Sequence, residues 1–357
     1  MRALPVVVLG AFLTSLGLAE RGGTGPAEAT RDLEASLPVP PGGYFAVENL
    51  AGTLRVVPAP GQEVRVRAAV HAESEELAAS ATLARVAGKD GVPTLRVEYP
   101  LDRHREYRYP PRGPGRDNGI HFDGRRVSVS GDRGVLLYAD LVVEVPASAA
   151  GGRLATRAGA IEAVRLEGRF TLDTGSGRIR VAHSRGDLEA DTGSGDVEAR
   201  DVHGSLRCDT GSGQCRVEGF EGEKLACDTG SGSVLVNGAR AGSISLDTGS
   251  GQVRALGLEA EEVQVDTGSG SVEVEVVSER LRSLTVDTGS GNVRLRLPPA
   301  AGFEAKAELG SGRLVCDYSD AERDVWRHEV MSCRRGDRAI AIHVDSASGN
   351  VTIEPAR

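Results

Sequence analysis

The strongest constraint on this chain is a five-residue phrase, Asp-Thr-Gly-Ser-Gly, written seven times without a change. The copies begin at Asp173, Asp191, Asp209, Asp228, Asp247, Asp266 and Asp287, in steps of 18, 18, 19, 19, 19 and 21 residues. A fixed period of this size marks a repeat architecture, in which a short unit buries its face against the next copy.

The flanks say what the unit is. Three residues before each Asp stand Phe170, Leu188, Leu206, Leu225, Ile244, Val263 and Leu284. Six after stand Ile179, Val197, Cys215, Val234, Val253, Val272 and Val293. Apolar residues recur at every second position on both sides, so each side reads as a strand with one buried face. Gly-Ser-Gly between them is turn chemistry, with glycine supplying positive φ at no steric cost. A propeller blade needs roughly 40 residues, twice this period. The pattern therefore predicts an all-β chain: a single-stranded parallel β-solenoid, or β-helix, with 18–21-residue coils. Successive coils would lie ~4.8 Å apart, with like stacked on like.

Stacking puts the row Asp173, Asp191, Asp209, Asp228, Asp247, Asp266 and Asp287 on one line. Unit charges at this spacing repel by about 1 kcal/mol in water. The expectation is a structural turn ladder, in which each Asp accepts hydrogen bonds from the N–H groups of its own Gly-Ser-Gly. Cations along the row are the alternative, with Asp209, Asp228, Asp247 and Asp266 as weak metal candidates.

Residues 1–19 read as a signal peptide: Arg2, an apolar Pro5–Leu18 stretch, and a small-x-small site at Gly17-Leu18-Ala19. Residues 20–40 read as a flexible leader. Residues 41–150 form an N-terminal β region. It contains a degenerate repeat at 47–56, strands at 64–70 and 95–99, and a short helix over 75–86 capped by Ser74. Within it, residues 101–125 are rich in Arg and Tyr. Arg105, Tyr107, Arg108 and Tyr109 are a possible ligand loop, although a solvated insertion is the simpler reading. Residues 151–357 carry the solenoid repeats. The phrase decays to Glu308–Gly312 and then Asp345–Gly349, and the excess at 317–338 reads as a capping insertion holding the only tryptophan, Trp326.

Five cysteines follow the signal. Cys316 and Cys333 bracket the terminal insertion and are the disulfide candidate. Cys208 and Cys227 occupy the same template position one coil apart, as a disulfide or as packed thiols. Cys215 reads as a buried free thiol. The cysteines look scattered along the chain, so no zinc site and no cofactor is expected.

The net charge of −9 argues against nucleic acid and anionic membrane as partners. No second stretch is apolar enough to span a bilayer, so the mature chain is expected without a transmembrane segment: exported to the periplasm, the outer surface or the medium. Asp-Thr-Gly-Ser also occurs in aspartic proteases, but that chemistry needs two lobes facing one shared proton. Seven copies in register cannot build them.

Val142-Val143-Glu144-Val145-Pro146, followed by the iterated apolar-x-apolar-Asp-Thr-Gly-Ser-Gly-x-Val-x-Val pattern, resembles the bacterial "putative adhesin" β-solenoid domain of unknown function. The resemblance covers about residues 44–357. It implies a parallel β-helix in an exported, envelope-associated protein without known catalysis, and offers no functional residues to carry over. The resulting expectation is a non-enzymatic adhesin or envelope structural module whose partner is an envelope glycan or a surface protein. A carbohydrate-active β-helix (lyase or hydrolase) and a calcium-dependent binding module are the alternatives.

Overall fold

The structure is a computed structural model and describes residues 28–88, 91–112, 116–326 and 329–356. The segment read as a signal peptide and the first residues of the one read as a leader lie outside the described residues. Among those described, the chain is all-β: 28 strands join in one sheet, accompanied by a six-residue helix, Glu75–Ser80.

The repeats form stacked levels. Strand Val234–Thr248 pairs in parallel with Cys215–Thr229 on one side and Val253–Thr267 on the other. Each residue meets its own counterpart. Leu225 lies beside Ile244 and then Val263, and Asp228 beside Asp247 and then Asp266. The same correspondence runs unbroken from Asp173 to Asp287. The apolar template residues are buried throughout, so one continuous column of Val, Leu and Ile runs along the stack. Each such side chain contributes roughly 1.5–3 kcal/mol relative to an exposed position.

The glycines serve a purpose the sequence reading missed. The glycines of the five central copies lie outside the left-handed region. What demands them is close approach between levels. A Cβ on Gly232 would sit 1.7 Å from the Gly213 carbonyl oxygen, and one on Gly251 would sit 1.8 Å from that of Gly232. Any side chain there would hold the levels apart.

The N-terminal region departs from expectation in two places. The segment read as a flexible leader contains a strand, Ala29–Pro38, paired antiparallel with Glu63–Ala72. The helix stops at Ser80, with the Ser74 hydroxyl accepting from the Leu77 N–H at 3.2 Å. Thr82–Ala87 instead joins an antiparallel pair with Pro93–Glu98. The degenerate repeat stacks on the first full one: Val47 lies beside Leu154, Asn49 beside Thr156, and Leu54 beside Ile161. Residues 60–150 are thus inserted between two adjacent levels. Val135–Pro146 pairs with Leu54–Ala59 and Glu63–Ala72, and Pro93–Glu98 pairs with Tyr44–Ala51. The insertion covers the open end of the stack, where exposed strand edges invite unwanted pairing.

At the other end the levels do not follow chain order. Asp345 lies between Asp287 and Glu308, and Val351 between Val293 and Leu314. The last segment of chain is therefore slotted beneath the segment that precedes it. Strands Phe303–Ser311 and Leu314–Cys316 form the outermost level. An antiparallel hairpin, Glu322–Trp326 with Glu329–Arg335, lies across it, its second strand pairing with Phe303–Lys306. The Phe303 ring meets Tyr318 edge-on, and the Arg335 guanidinium sits 4.9 Å above the Tyr318 ring. The side chain of Trp326 lies outside the described residues.

Candidate functional site

The repeated phrase splits into an inner and an outer row. The threonines are the inner row, at most 1 % exposed. The Thr229 hydroxyl donates to the Gly213 carbonyl one level below at 2.9 Å and accepts from the Gly232 N–H of its own turn at 3.0 Å. Thr192, Thr210 and Thr248 repeat this arrangement. Each hydroxyl satisfies one donor and one acceptor that would otherwise be orphaned in the core. This corrects the expectation that the aspartates bond their own turns: among the described residues no Asp of the row does so, and the threonine is the turn ladder.

The aspartates are the outer row. Asp191, Asp228, Asp247, Asp266 and Asp287 are exposed, each flanked by its counterparts one level away. Partial burial, then the Asp173 and Asp209 carboxylates, raise Asp191 above the usual carboxylate range. Burial followed by Asp228 and Asp266 does the same to Asp247, and burial followed by Asp287 to Asp266. Arg153 bonds Asp173, and Arg207 donates to Asp209 at 3.0 Å. Among the described residues no Arg or Lys pairs with Asp228, Asp247, Asp266 or Asp287. The metal candidates Asp209, Asp228, Asp247 and Asp266 thus form a line rather than a cage. Among the described residues no three carboxylates gather as closely as the thiols described below.

Beside the row run ladders of opposite charge. Arg180 reaches Glu198 at 2.9 Å, Arg200 reaches Glu218 at 2.7 Å, and Arg254 reaches Glu273 at 3.2 Å, each pair spanning adjacent levels. Arg296 lies between Glu273 at 2.8 Å and Glu354 at 3.0 Å. Exposed pairs of this kind contribute about 0–1 kcal/mol each, and they prevent stacked like charges from pushing levels apart. A shallow depression of about 340 Å³ crosses the levels around Leu188 and Leu206, walled by Arg169, Asp187, Glu189 and Arg207.

The Arg/Tyr segment is built into the fold. Glu106–Arg108, Arg116–Phe122 and Arg125–Ser130 are strands, so the reading as a solvated insertion fails. Tyr107 is fully buried against Tyr99, and Tyr109 is buried against Tyr138. Burial pushes the Tyr109 phenol up to about 12 and Tyr107 higher still. Arg108 reaches Glu73 at 3.5 Å, and Arg105 is exposed. The two tyrosines therefore pack the N-terminal cover and are closed to a ligand.

The cysteines hold the largest surprise. Cys316 and Cys333 are joined by a disulfide, which ties the outermost level to the hairpin over it. Cys208, Cys215 and Cys227 are free, buried, and close, with their sulfurs all within 4.8 Å of one another. The reading of scattered thiols is corrected. Cys208 and Cys227 are neighbours across one pairing step, and Cys215 faces them from the opposite side of the same core. Hydrogen bonds with Cys215 and Cys227 draw the Cys208 thiol down, while bonding to Cys208 pushes the other two up, with burial adding to the rise. The template held the clue, since both positions alternate inward.

Residues 178–354 match the Toastrack DUF4097 family. The chain carries a Toastrack domain. This agrees with the resemblance drawn from the repeated phrase. No curated protein matches the sequence. Among solved structures, the chain is similar to a "putative adhesin" from Parabacteroides distasonis ATCC 8503, at 11% identity over 91% of this chain and 97% of that one, with a TM-score of 0.35. It is similar to a "putative lipid binding protein" from the same organism, at 9% identity over 91% and 97%, with a TM-score of 0.36. It is also similar to a "putative adhesin" from Parabacteroides merdae ATCC 43184, at 11% identity over 92% and 96%, with a TM-score of 0.35. Likeness at this level says nothing of a ligand. Among the described residues no helix is long and apolar enough to cross a membrane, which leaves β-barrels unaddressed.

Proposed function

We propose that the chain is an exported, non-enzymatic β-solenoid with 18–21-residue coils, acting as an adhesive or structural binding module of the cell envelope. The observation that carries this reading is the display of charge. The Asp row stands outward at every level from Asp173 to Asp287, and Arg–Glu pairs link several adjacent levels beside it, while the shared core holds them in place. Such a surface suits an extended, repetitive partner, because the same group recurs every ~4.8 Å along one axis. Large aromatics are scarce outside: Tyr44 is the only one exposed among the described residues. Recognition therefore rests on charged and hydroxyl contacts rather than on aromatic stacking against sugar rings. The partner is an envelope glycan bearing charged groups or a surface protein. A catalytic alternative would need carboxylates converging across a cleft, and the acids here run parallel along a face. The test is capture of partners from the envelope fraction by the exported chain, alongside a polysaccharide panel. Retained ligand without product supports the reading, and release of oligosaccharide overturns it.

A calcium-dependent module is the second reading. The stacking of Asp228, Asp247, Asp266 and Asp287 one level apart favours it, since a cation over the row would relieve their mutual repulsion. Under this reading Ca²⁺ raises the melting temperature of the wild type and leaves Asp247→Asn unmoved. An equal shift in both contradicts it.

A further inference from the structure

The three thiols ask for an explanation that packing does not supply. In the levels on either side, the position of Cys208 and Cys227 is filled by Ala190 and Leu246, and that of Cys215 by Val197 and Val234. Three sulfurs thus replace hydrocarbon at one height of an otherwise apolar column. They arise from two template positions on opposite walls of the core. Nothing in the coil geometry requires cysteine there, because the same backbone accepts Ala, Leu and Val one level away.

We propose that Cys208, Cys215 and Cys227 form a three-sulfur site for a soft monovalent cation of the copper(I) class. Thiolate sulfur selects soft ions. Metal–sulfur bonds of about 2.3 Å place three sulfurs around one ion at roughly 4 Å from one another. The observed cluster lies within 4.8 Å, so closure needs only small side-chain movement. Coordination number excludes the commoner thiol ion. Zinc takes four ligands in structural sites, and the adjoining core positions offer only Ala190, Leu246, Val197 and Val234. Metal-bound sulfur is thiolate, so loading breaks three S–H bonds, releases three protons to solvent and forms three metal–sulfur bonds. The ion enters already in its monovalent state, so no electron is transferred.

The test uses the full exported chain, loaded anaerobically with copper(I), desalted against a copper(I) chelator, and assayed for metal. Wild type is expected to retain one copper per chain. Cys215→Val installs the residue used at that position by both neighbouring levels, so it is expected to fold with unchanged circular dichroism. Its loss of affinity should exceed the roughly 10–100-fold that losing an outer-shell partner costs at metal sites. Thiol counting in denaturant, without reductant, should find three reactive groups and leave Cys316–Cys333 closed. Equal copper retention by wild type and Cys215→Val overturns the proposal. So does a count of one thiol, which would mean a Cys208–Cys227 disulfide, and so does preferential retention of zinc.

Discussion

Replacing Thr229 with Val isolates the interaction that holds one level to the next. The two side chains are nearly the same shape, but the hydroxyl is lost. Thr229 donates to the Gly213 carbonyl at 2.9 Å and accepts from the Gly232 N–H at 3.0 Å, at 1 % exposure. Removal orphans one acceptor and one donor, at roughly 1–3 kcal/mol each. The added methyl returns about 0.8 kcal/mol. The expected loss is about 1–5 kcal/mol, centred on about 3. Thr229→Ser keeps the hydroxyl and gives up only a methyl, so its loss is about 1 kcal/mol. Asp228→Asn, one residue away on the outer row, should be neutral or stabilising, since it removes a charge between two like charges. Urea unfolding followed by circular dichroism gives all three values. If Thr229→Val matches Thr229→Ser, or if Asp228→Asn is the most damaging of the three, the assignment of the ladder to threonine is wrong.

Other perturbations test neighbouring parts of the account. Gly232→Ala forces a Cβ to within 1.7 Å of the Gly213 oxygen and is expected to cost about 3 kcal/mol, the upper end of overpacking, measured by the same unfolding curves. The raised carboxyl of Asp247 contributes stability that is present below its ordinary value of 3.8 and is lost as pH rises through its elevated folded value. Asp247→Asn should therefore melt higher than wild type at neutral pH, with the difference vanishing below that ordinary value; a constant difference would contradict this. The double variant Cys316→Ala/Cys333→Ala opens a loop of 17 residues and is expected to lose about 3 kcal/mol, with proteolysis starting in the terminal hairpin.

The stacking was legible in the sequence because it depends on what repeats: the phrase, the apolar alternation on each flank, and a period too short for a propeller blade. What depends on contacts between levels was not legible. The acceptor for the Thr229 hydroxyl lies on Gly213, 16 residues back, while Asp228 stands just as close to the same turn in sequence. Composition cannot rank the two. In the five central copies the demand for glycine is likewise set by the level below and not by local backbone angles. Near-identical repeats also conceal their order: Asp345, and not the earlier Glu308, lies beside Asp287, and the hairpin pairs with the Phe303 strand that is left outermost. The thiol cluster is hidden in the sequence because Cys208 and Cys227 share one wall, while Cys215 reaches them across the core. Tyr107 and Tyr109 look exposed among arginines and prolines, and their burial follows from the pairing of Glu106–Arg108 with Arg125–Ser130 and Val135–Pro146, both largely outside residues 101–125.

The most direct measurement is a ladder of distances between spin labels on the phrase serines. With one label on Ser176, a second on Ser250 lies four levels away, or ~19 Å between backbones at the strand spacing. Ser348 lies seven levels away at ~34 Å, and Ser311 eight levels away at ~38 Å. The account predicts a linear rise with level and Ser311 farther than Ser348, against their order in the chain. Distances that do not grow with level, or Ser311 nearer than Ser348, would contradict it.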